Sequence, residues 1–354
     1  MNFMRYIGNK ENLLDFIDGA FQKHGITGNA ILDAFAGTCR VGMNFRRKGW
    51  KVIASDLMYY SYVIQRASIV CAHEPEFSGL ELKPSGLLLD TPLIRALKHL
   101  DMLPPSYGFI YRNYTPEGTR ELPRQRMYYT GENGARIDAA RLAIEQWRSD
   151  GRLTDDEYFV LVAAVVETVP FYANVAGVYA AFQKTWDPRA VKKMRFRAPE
   201  IISKQPGECY CGDTAEILAN IDADVFYLDP PYNQRQYAPN YHLLETIAAY
   251  DSPKIKGVSG MRDYSSQKSL FCNAETGIRE LDRYLAASSW RWFILSYNNE
   301  GIMLHDAIMD VMAKYGKVIL EEYEYPRFKS NNNGLSSGRR KNIRERLYIV
   351  GRAN

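Results

Sequence analysis

The sequence predicts an open α/β fold with a mostly parallel sheet and one large, mainly helical insertion. Three observations predict it. Short apolar runs rich in β-branched and aromatic residues recur, among them Ile31-Leu32, Val52-Ile53-Ala54, Val225-Phe226-Tyr227-Leu228 and Trp292-Phe293-Ile294-Leu295. Such continuous runs suit strands buried on both faces, as in a parallel sheet. Each run ends in a turn carrying acids, glycines or amides, and the carboxyl edge of an open α/β sheet is where ligands bind. Finally, residues 75–205 break the strand rhythm, and the chain of 354 residues has room for a domain inserted there.

The elements follow in order. Arg5-Tyr6-Ile7-Gly8-Asn9-Lys10 precedes apolar positions Leu13, Leu14, Phe16, Ile17 and Phe21 at helical spacing. Gly8-Asn9 breaks the chain just before that helix starts, where unpaired amides gather. The first strand runs into Asp33-Ala34-Phe35-Ala36-Gly37-Thr38-Cys39, and a helix is expected from about Val41. Gly37 permits close backbone approach to a ligand. The turn is neither a dinucleotide fingerprint nor a P-loop, since no G-x-G-x-x-G and no Gly-Lys-Ser/Thr occurs. An acid ahead of it would attract a cationic group and repel pyrophosphate. The second strand ends at Asp56, where α/β cofactor folds hold ribose hydroxyls. Asp33, the turn Phe35-Ala36-Gly37-Thr38 and Asp56 together suit an adenosine ligand carrying an amino-acid ammonium. S-adenosylmethionine fits that description; NAD fits it less well. Helix capping is the competing role for both acids, and the strand-turn-helix-strand order weakens it more for Asp56 than for Asp33.

Asp229-Pro230-Pro231-Tyr232 closes the Val225–Leu228 run. Two prolines cannot continue a ladder, so the strand stops and turns there. The corner offers a carboxylate, carbonyls and a flat ring. These suit a planar group with an exocyclic amine, such as adenine with its N6 donor. Acceptors on the two N–H groups would free the lone pair and stabilise positive charge as it forms. A plain strand-ending turn is the alternative. Further on, Trp292–Leu295 is expected as the next parallel strand, beside the target pocket. Lys317–Leu320 and Arg346–Val350 are expected as a terminal β pair.

Composition narrows the class. A hydrophobic share of 46 % and a charged share of 24 % are ordinary for a globular protein. No apolar run reaches membrane-spanning length, and Met1-Asn2-Phe3-Met4-Arg5 lacks the core of a signal peptide. The five cysteines are odd in number, and Cys209-Tyr210-Cys211 has no second pair and no nearby histidine, a poor zinc site. Reduced thiols, a cytoplasmic location and no metal are expected. The net charge of +4 points only weakly to a polyanion.

Three motifs in this order, R-Y-I-G-N-K, D-A-F-A-G-T and D-P-P-Y, resemble those of the Dam-type (alpha-class) N6-adenine DNA methyltransferases. The resemblance spans Arg5 to Tyr232. It implies a Rossmann-like class I methyltransferase sheet with an antiparallel terminal strand, in a catalytic domain of residues 1–74 and 206–354. It also implies a DNA target-recognition domain at 75–205. Tyr6, Lys10, Asp56 and Asp229 fall on positions that contact the methyl donor in that family, and Asp213 on the acid that reaches the donor's adenine. Asp213 would also suit an N-cap, with Glu216 completing a capping box. Tyr6 replaces a common tryptophan, and Cys39 stands where a second glycine is usual. Asn233–Tyr241 is similar to methyltransferases that accompany shifted-cleavage (type IIS) enzymes.

Given such a core, arginine and tyrosine interleaved around Arg124 and Arg126 suit phosphate contacts and base stacking. The run holding Lys192, Lys193 and Arg195 suits a phosphate-binding edge, and so do Arg235 and the Gly/Ser-rich Arg339-Arg340-Lys341 segment. A solvated face or hairpin tip is the alternative for each. The expected reaction is direct methyl transfer to an adenine flipped out of double-stranded DNA and stacked on Tyr232. Its N6 would be held by Asp229 and the Pro230 carbonyl. A cognate restriction endonuclease is a possible partner. Three rivals stand: N4-cytosine methylation, disfavoured by Asp229 in place of serine; methylation of RNA or a protein glutamine; and a catalytically silent DNA-binding module.

Overall fold

The computed structural model describes residues 10–84, 86, 88, 90–287, 290–326 and 342–352. In chain order the regular elements begin with α1 (Leu14–Lys23), β1 (Ala30–Ala34), α2 (Arg40–Arg47), β2 (Lys51–Asp56) and α3 (Tyr59–Gln65). Next come α4 (Pro92–Met102), α5 (Phe109–Tyr114), α6 (Gly131–Ser149), α7 (Asp155–Thr168), β3 (Glu208–Cys211) and β4 (Val225–Leu228). The chain continues through α8 (Tyr237–Ala249), β5 (Ile255–Lys256), β6 (Met261–Arg262), α9 (Ala274–Ala286) and β7 (Trp292–Asn298). It ends with α10 (His305–Ala313), β8 (Val318–Pro326) and β9 (Asn342–Gly351). No described helix is long and apolar enough to cross a membrane.

Two compact units emerge. One holds the described residues of 9–58, 205–237 and 266–354; the other holds 59–204 and 238–265. The second unit therefore starts earlier in the chain than residue 75 and takes in a further stretch after the Asp-Pro-Pro-Tyr corner.

The first unit is built on a seven-stranded sheet in the order β3-β2-β1-β4-β7-β9-β8. β3, β2, β1, β4 and β7 are parallel, whereas β9 runs antiparallel to both β7 and β8. This is the Rossmann-like class I sheet with an antiparallel terminal strand that the motif resemblance implies, and its parallel strands carry the apolar runs. β4 is buried along its whole length, which explains its lack of polar alternation. Leu32, Phe226, Phe293 and Leu295 join Leu281, Leu285, Ile308 and Met312 in one continuous core. The order matters for function. From β1 the chain builds outward through β2 to β3, then returns to place β4 on the other flank of β1. That reversal opens a crevice at the carboxyl ends of β1 and β4, the place where open α/β sheets bind ligands.

The second unit is mainly helical. α7 starts with a full capping box, the Thr154 hydroxyl taking the Glu157 amide and the Glu157 carboxylate taking the Thr154 amide. Its apolar face (Val160, Leu161, Val162, Val165, Val166) is buried. The stretch Phe109–Tyr114 is helix α5, with its first amides capped by the buried Asp138 carboxylate at 2.9 and 2.7 Å. An acid from a distant helix supplies this cap, so no local pattern announces it.

Candidate active site

The site begins at the turn after β1. Phe35, Gly37 and Cys39 all take the left-handed backbone conformation, with φ of 61°, 53° and 57°. Glycine adopts it freely, but a side-chain-bearing residue there costs about 1–3 kcal/mol. Strain of this kind is kept where backbone geometry serves a ligand. Cys39 thus holds the conformation of the glycine it replaces while acting as N-cap of α2. Burial pushes its thiol well above the ordinary range, so it is no nucleophile. Thr38 beside it is buried.

Two buried carboxylates frame the turn. Asp33 Oδ2 accepts the Gly42 amide at 2.8 Å. A Cβ on Gly42 would lie 3.0 Å from that oxygen and 2.9 Å from Cys39 Sγ, so the helix must start close to the strand. Burial, helped by the Asp229 and Asp56 charges, raises the Asp33 pKa to about 7 against the opposing pull of the Gly42 amide. Asp56 accepts the amides of Gly37 and Met58, each at 2.8 Å. The end of β2 therefore fixes the turn that follows β1. Ala36 donates its amide to the Ser55 carbonyl at 3.0 Å, which tightens the same link.

Asp213 follows β3 and is exposed. Its carboxylate caps the Ala215 amide at 2.9 Å. The expected helix there is instead two short 3-10 turns, Thr214–Glu216 and Leu218–Asn220. The capping role of Asp213 is present, but its carboxylate takes the Ala215 amide while the Glu216 amide turns to the Asp213 carbonyl at 3.0 Å, the 3-10 pattern in place of the expected capping box.

The Asp229 corner, at the end of β4, lies beside the β1 turn, and Asp229 donates its amide to the Ala34 carbonyl at 3.4 Å. Pro230 and Pro231 are buried. Lys10 Nζ sits 3.0 Å from Asp229 Oδ1, 2.5 Å from Glu345 Oε1 on β9 and 3.1 Å from the Tyr232 hydroxyl. Side-chain exposures of 5 %, 14 % and 2 % for Lys10, Asp229 and Glu345 make this a charge cluster with almost no solvent screening. Burial works against the Lys10 ammonium, yet Asp229 and Glu345 hold its pKa well above the ordinary value. Burial pushes Asp229 up to about 7; Lys10 pulls it down and Glu345 pushes it up again. Lys10 is near enough for an ion pair, but among the described residues no donor is aligned on the buried Asp229 Oδ1. The oxygen keeps an acceptor direction open.

Tyr232 is held from several sides. Its carbonyl accepts the Ile302 amide at 2.9 Å, and its ring meets Tyr297 edge-on at 5.8 Å between centroids. Lys10 Nζ lies 5.1 Å from the centre of the same ring. Ser296, at the end of β7, donates to Glu345 Oε1 at 2.9 Å. Sequence reasoning missed Glu345, Ser296 and Tyr297. For Glu345 one signal existed: Ile343, Glu345, Leu347 and Ile349 share one face of the strand by alternation, so the acid stands in an apolar series.

The basic residues divide. Arg124 and Arg235 are exposed. Arg126, expected on a DNA-facing surface, is buried instead. Its guanidinium donates to the carbonyls of Val258, Asn113 and Gly257 at 2.9–3.0 Å, tying α5 to the β5–β6 hairpin. Lys192, Lys193 and Arg195 are exposed and alternate with buried Met194 and Phe196. Side chains fasten this irregular strip: Asn133 bonds the Ala190 and Lys192 carbonyls and the Met194 amide, and Asp101 takes the Phe196 amide. Tyr6, Arg339, Arg340 and Lys341 lie outside the described residues.

Residues 6–286 match the profile of the D12 class N6 adenine-specific DNA methyltransferases. The chain belongs to that family. It is 36 % identical over 315 residues to the Type II methyltransferase M.FokI of Planomicrobium okeanokoites, covering 88 % of this chain and 47 % of that one. It is 33 % identical to the Type II methyltransferase M.NlaIII of Neisseria lactamica over 98 % of this chain and 99 % of that one. It is 35 % identical to the modification methylase LlaI of Lactococcus lactis subsp. lactis, over 97 % of this chain and 54 % of that one. The chain thus spans about half the length of M.FokI and LlaI and nearly all of M.NlaIII.

Proposed function

We propose that this member of the D12 class transfers a methyl group from S-adenosylmethionine to N6 of an adenine flipped out of a specific duplex DNA sequence. We also propose that it serves as the modification enzyme of a restriction system. The observation that carries the reading is the buried Asp229 Oδ1, an acceptor with no aligned donor at the switch point of the sheet. A flipped adenine offers N6–H to it.

The residues present fit the donor. β3, β2, β1 and β4 are neighbours, so Asp213, Asp56, the Gly37 turn and Asp229 follow one another along one sheet edge. Three strand spacings make roughly 14 Å, suited to an extended nucleoside carrying an amino-acid tail. Asp213 would meet the adenine, Asp56 the ribose and the Phe35–Thr38 turn the methionine end. Asp33 beneath that turn is a buried acid with a raised pKa, and a nearby ammonium would bring it back to the ionised form. When bound, the donor supplies an electrophilic methyl on a sulfonium.

The chain's own residues do the rest. Asp229 and the Pro230 carbonyl accept the two N6 hydrogens and hold the lone pair toward the methyl. Tyr232 stacks on the base. As the new bond to N6 forms and the bond to sulfur breaks, positive charge reaches the nitrogen. Asp229 stabilises that charge, and the proton then departs. The helical unit of residues 59–204 and 238–265 would read the target, with Lys192, Lys193, Arg195 and Arg124 on phosphates; Arg235 would add a contact from the catalytic unit.

A labelled-methyl assay on duplex DNA, followed by digestion and nucleoside analysis, tests this. Label in N6-methyladenine is expected. Label on cytosine would overturn the pocket assignment, and label on RNA or protein but not DNA would overturn the substrate.

A further inference from the structure

We propose that Glu345 is a positioning residue for methyl transfer: by sharing Lys10 with Asp229, it keeps that lysine from locking the catalytic carboxylate. The inference rests on the reading of Asp229 as the N6 acceptor. It goes beyond that reading by assigning a role to a strand residue outside every motif.

The geometry carries the argument. One ammonium serves two carboxylates, and it sits nearer to Glu345 (2.5 Å) than to Asp229 (3.0 Å). Ser296 fixes Glu345 from β7 at 2.9 Å, on the same Oε1 that Lys10 engages. Lys10 is thereby drawn toward β9, and its contact with Asp229 Oδ1 is unaligned. Were Lys10 to serve Asp229 alone, it would form an aligned pair and fill the lone-pair direction that N6 needs. The same pairing would make Asp229 a weaker acceptor, since a neighbouring cation lowers a carboxylate's basicity. Glu345 opposes both effects. The groups that face Asp229 are Lys10 from the start of the chain, Tyr232 from its own turn, Tyr227 from β4, Asp33 from β1 and Glu345 from β9. Tyr227 and Tyr232 are pushed far up by burial and stay neutral, so Lys10, Asp33 and Glu345 supply the charge.

The test is the pH profile of single-turnover methyl transfer. It uses the full chain, saturating S-adenosylmethionine and duplex DNA prepared free of N6-methyladenine. Wild-type transfer should fall as pH drops through about 7, where Asp229 takes up a proton. In Glu345→Gln, Lys10 is left to Asp229. The acid limb should then move to lower pH by on the order of one unit, the plateau rate should fall, and KM for DNA should stay unchanged. Glu345→Asp, which withdraws the carboxylate from Lys10 but keeps its charge, should move the limb in the same direction by less. A folded Glu345→Gln protein with its limb at the wild-type position overturns the inference. If that variant does not fold, an unmoved limb in Glu345→Asp overturns it equally. Failure of the underlying reading shows separately, as transfer retained in Asp229→Asn.

Discussion

The chain handles charge in two contrasting ways. At the ends of β4 and β9, two buried carboxylates lie within 3.0 Å of one buried ammonium, and the three groups come from widely separated parts of the chain. Along residues 192–195, charges of one sign stand exposed on irregular backbone that buried neighbours fasten down. Burial makes an interaction strong and directional, so the first region works by the position of single atoms. Exposure to salt weakens each charge, so the second can act only through the sum of its field. Substitutions should therefore act steeply and individually in the first region and mildly and additively in the second.

The largest expected effect is on Asp229. Asp229→Ala removes the acceptor on which N6 is oriented, and transfer should fall by at least about a thousandfold. DNA binding should stay largely intact, because the proposed role of the corner is to hold one flipped base and no phosphate. Transfer within tenfold of wild type would return Asp229 to a strand-ending turn residue and dissolve the contrast. Next comes Lys10→Met. It leaves Asp229 and Glu345 buried without their cation, a change that costs about 3–5 kcal/mol in comparable pairs. The sign with pH follows from the groups left behind. Asp229, already pushed up by burial, loses the cation that pulled it down and binds its proton more readily in the folded chain than in the unfolded one, so the loss should be greatest above pH 7 and shrink toward pH 5. Denaturant melts at the two pH values measure it, and an equal loss at both would mean that Lys10 contributes by packing alone.

How far each region could be read in advance follows from the same contrast. The corner at Asp229 was legible because two prolines after a buried run leave the chain no other course. The buried strands and the terminal pair were legible as apolar runs, whereas their order in the sheet was not, because a run of apolar residues does not record which neighbour it pairs with. Cys39 in a glycine's conformation was legible as a departure from a motif. Glu345 was not: its partner Lys10 lies 335 residues away, and no local spacing records such a pair. Arg126 misled for the same reason. In sequence it stands among arginines and tyrosines that suit a phosphate surface, while the carbonyls of Val258 and Gly257 that consume it arrive more than 130 residues later. The turn after β3 misled differently, for a capping acid marks a helix start but says nothing of its length.

Arg126 and the strip at 192–195 give the finest test, because they are chemically alike and differ in burial. Arg126→Ala deprives the carbonyls of Val258, Asn113 and Gly257 of their donor at once, and should cost about 2–3 kcal/mol of folding stability. It should leave the salt dependence of DNA affinity unchanged, since a guanidinium spent on backbone carbonyls releases no counterion from phosphate. Lys192, Lys193 and Arg195 changed together to alanine should do the reverse. Stability should move by less than about 1 kcal/mol, as exposed charges contribute little. The slope of log affinity against log salt should become shallower by roughly 2–3, near 0.9 for each phosphate that is no longer neutralised. Affinity at low salt should drop correspondingly while the methylated sequence stays the same, because phosphate contacts hold the duplex without reading it. If the triple variant instead kept its slope and Arg126→Ala lost some of it, burial would be no guide to which cations meet DNA. The strip would then be a solvated face, and the proposed DNA contacts would have to be sought elsewhere.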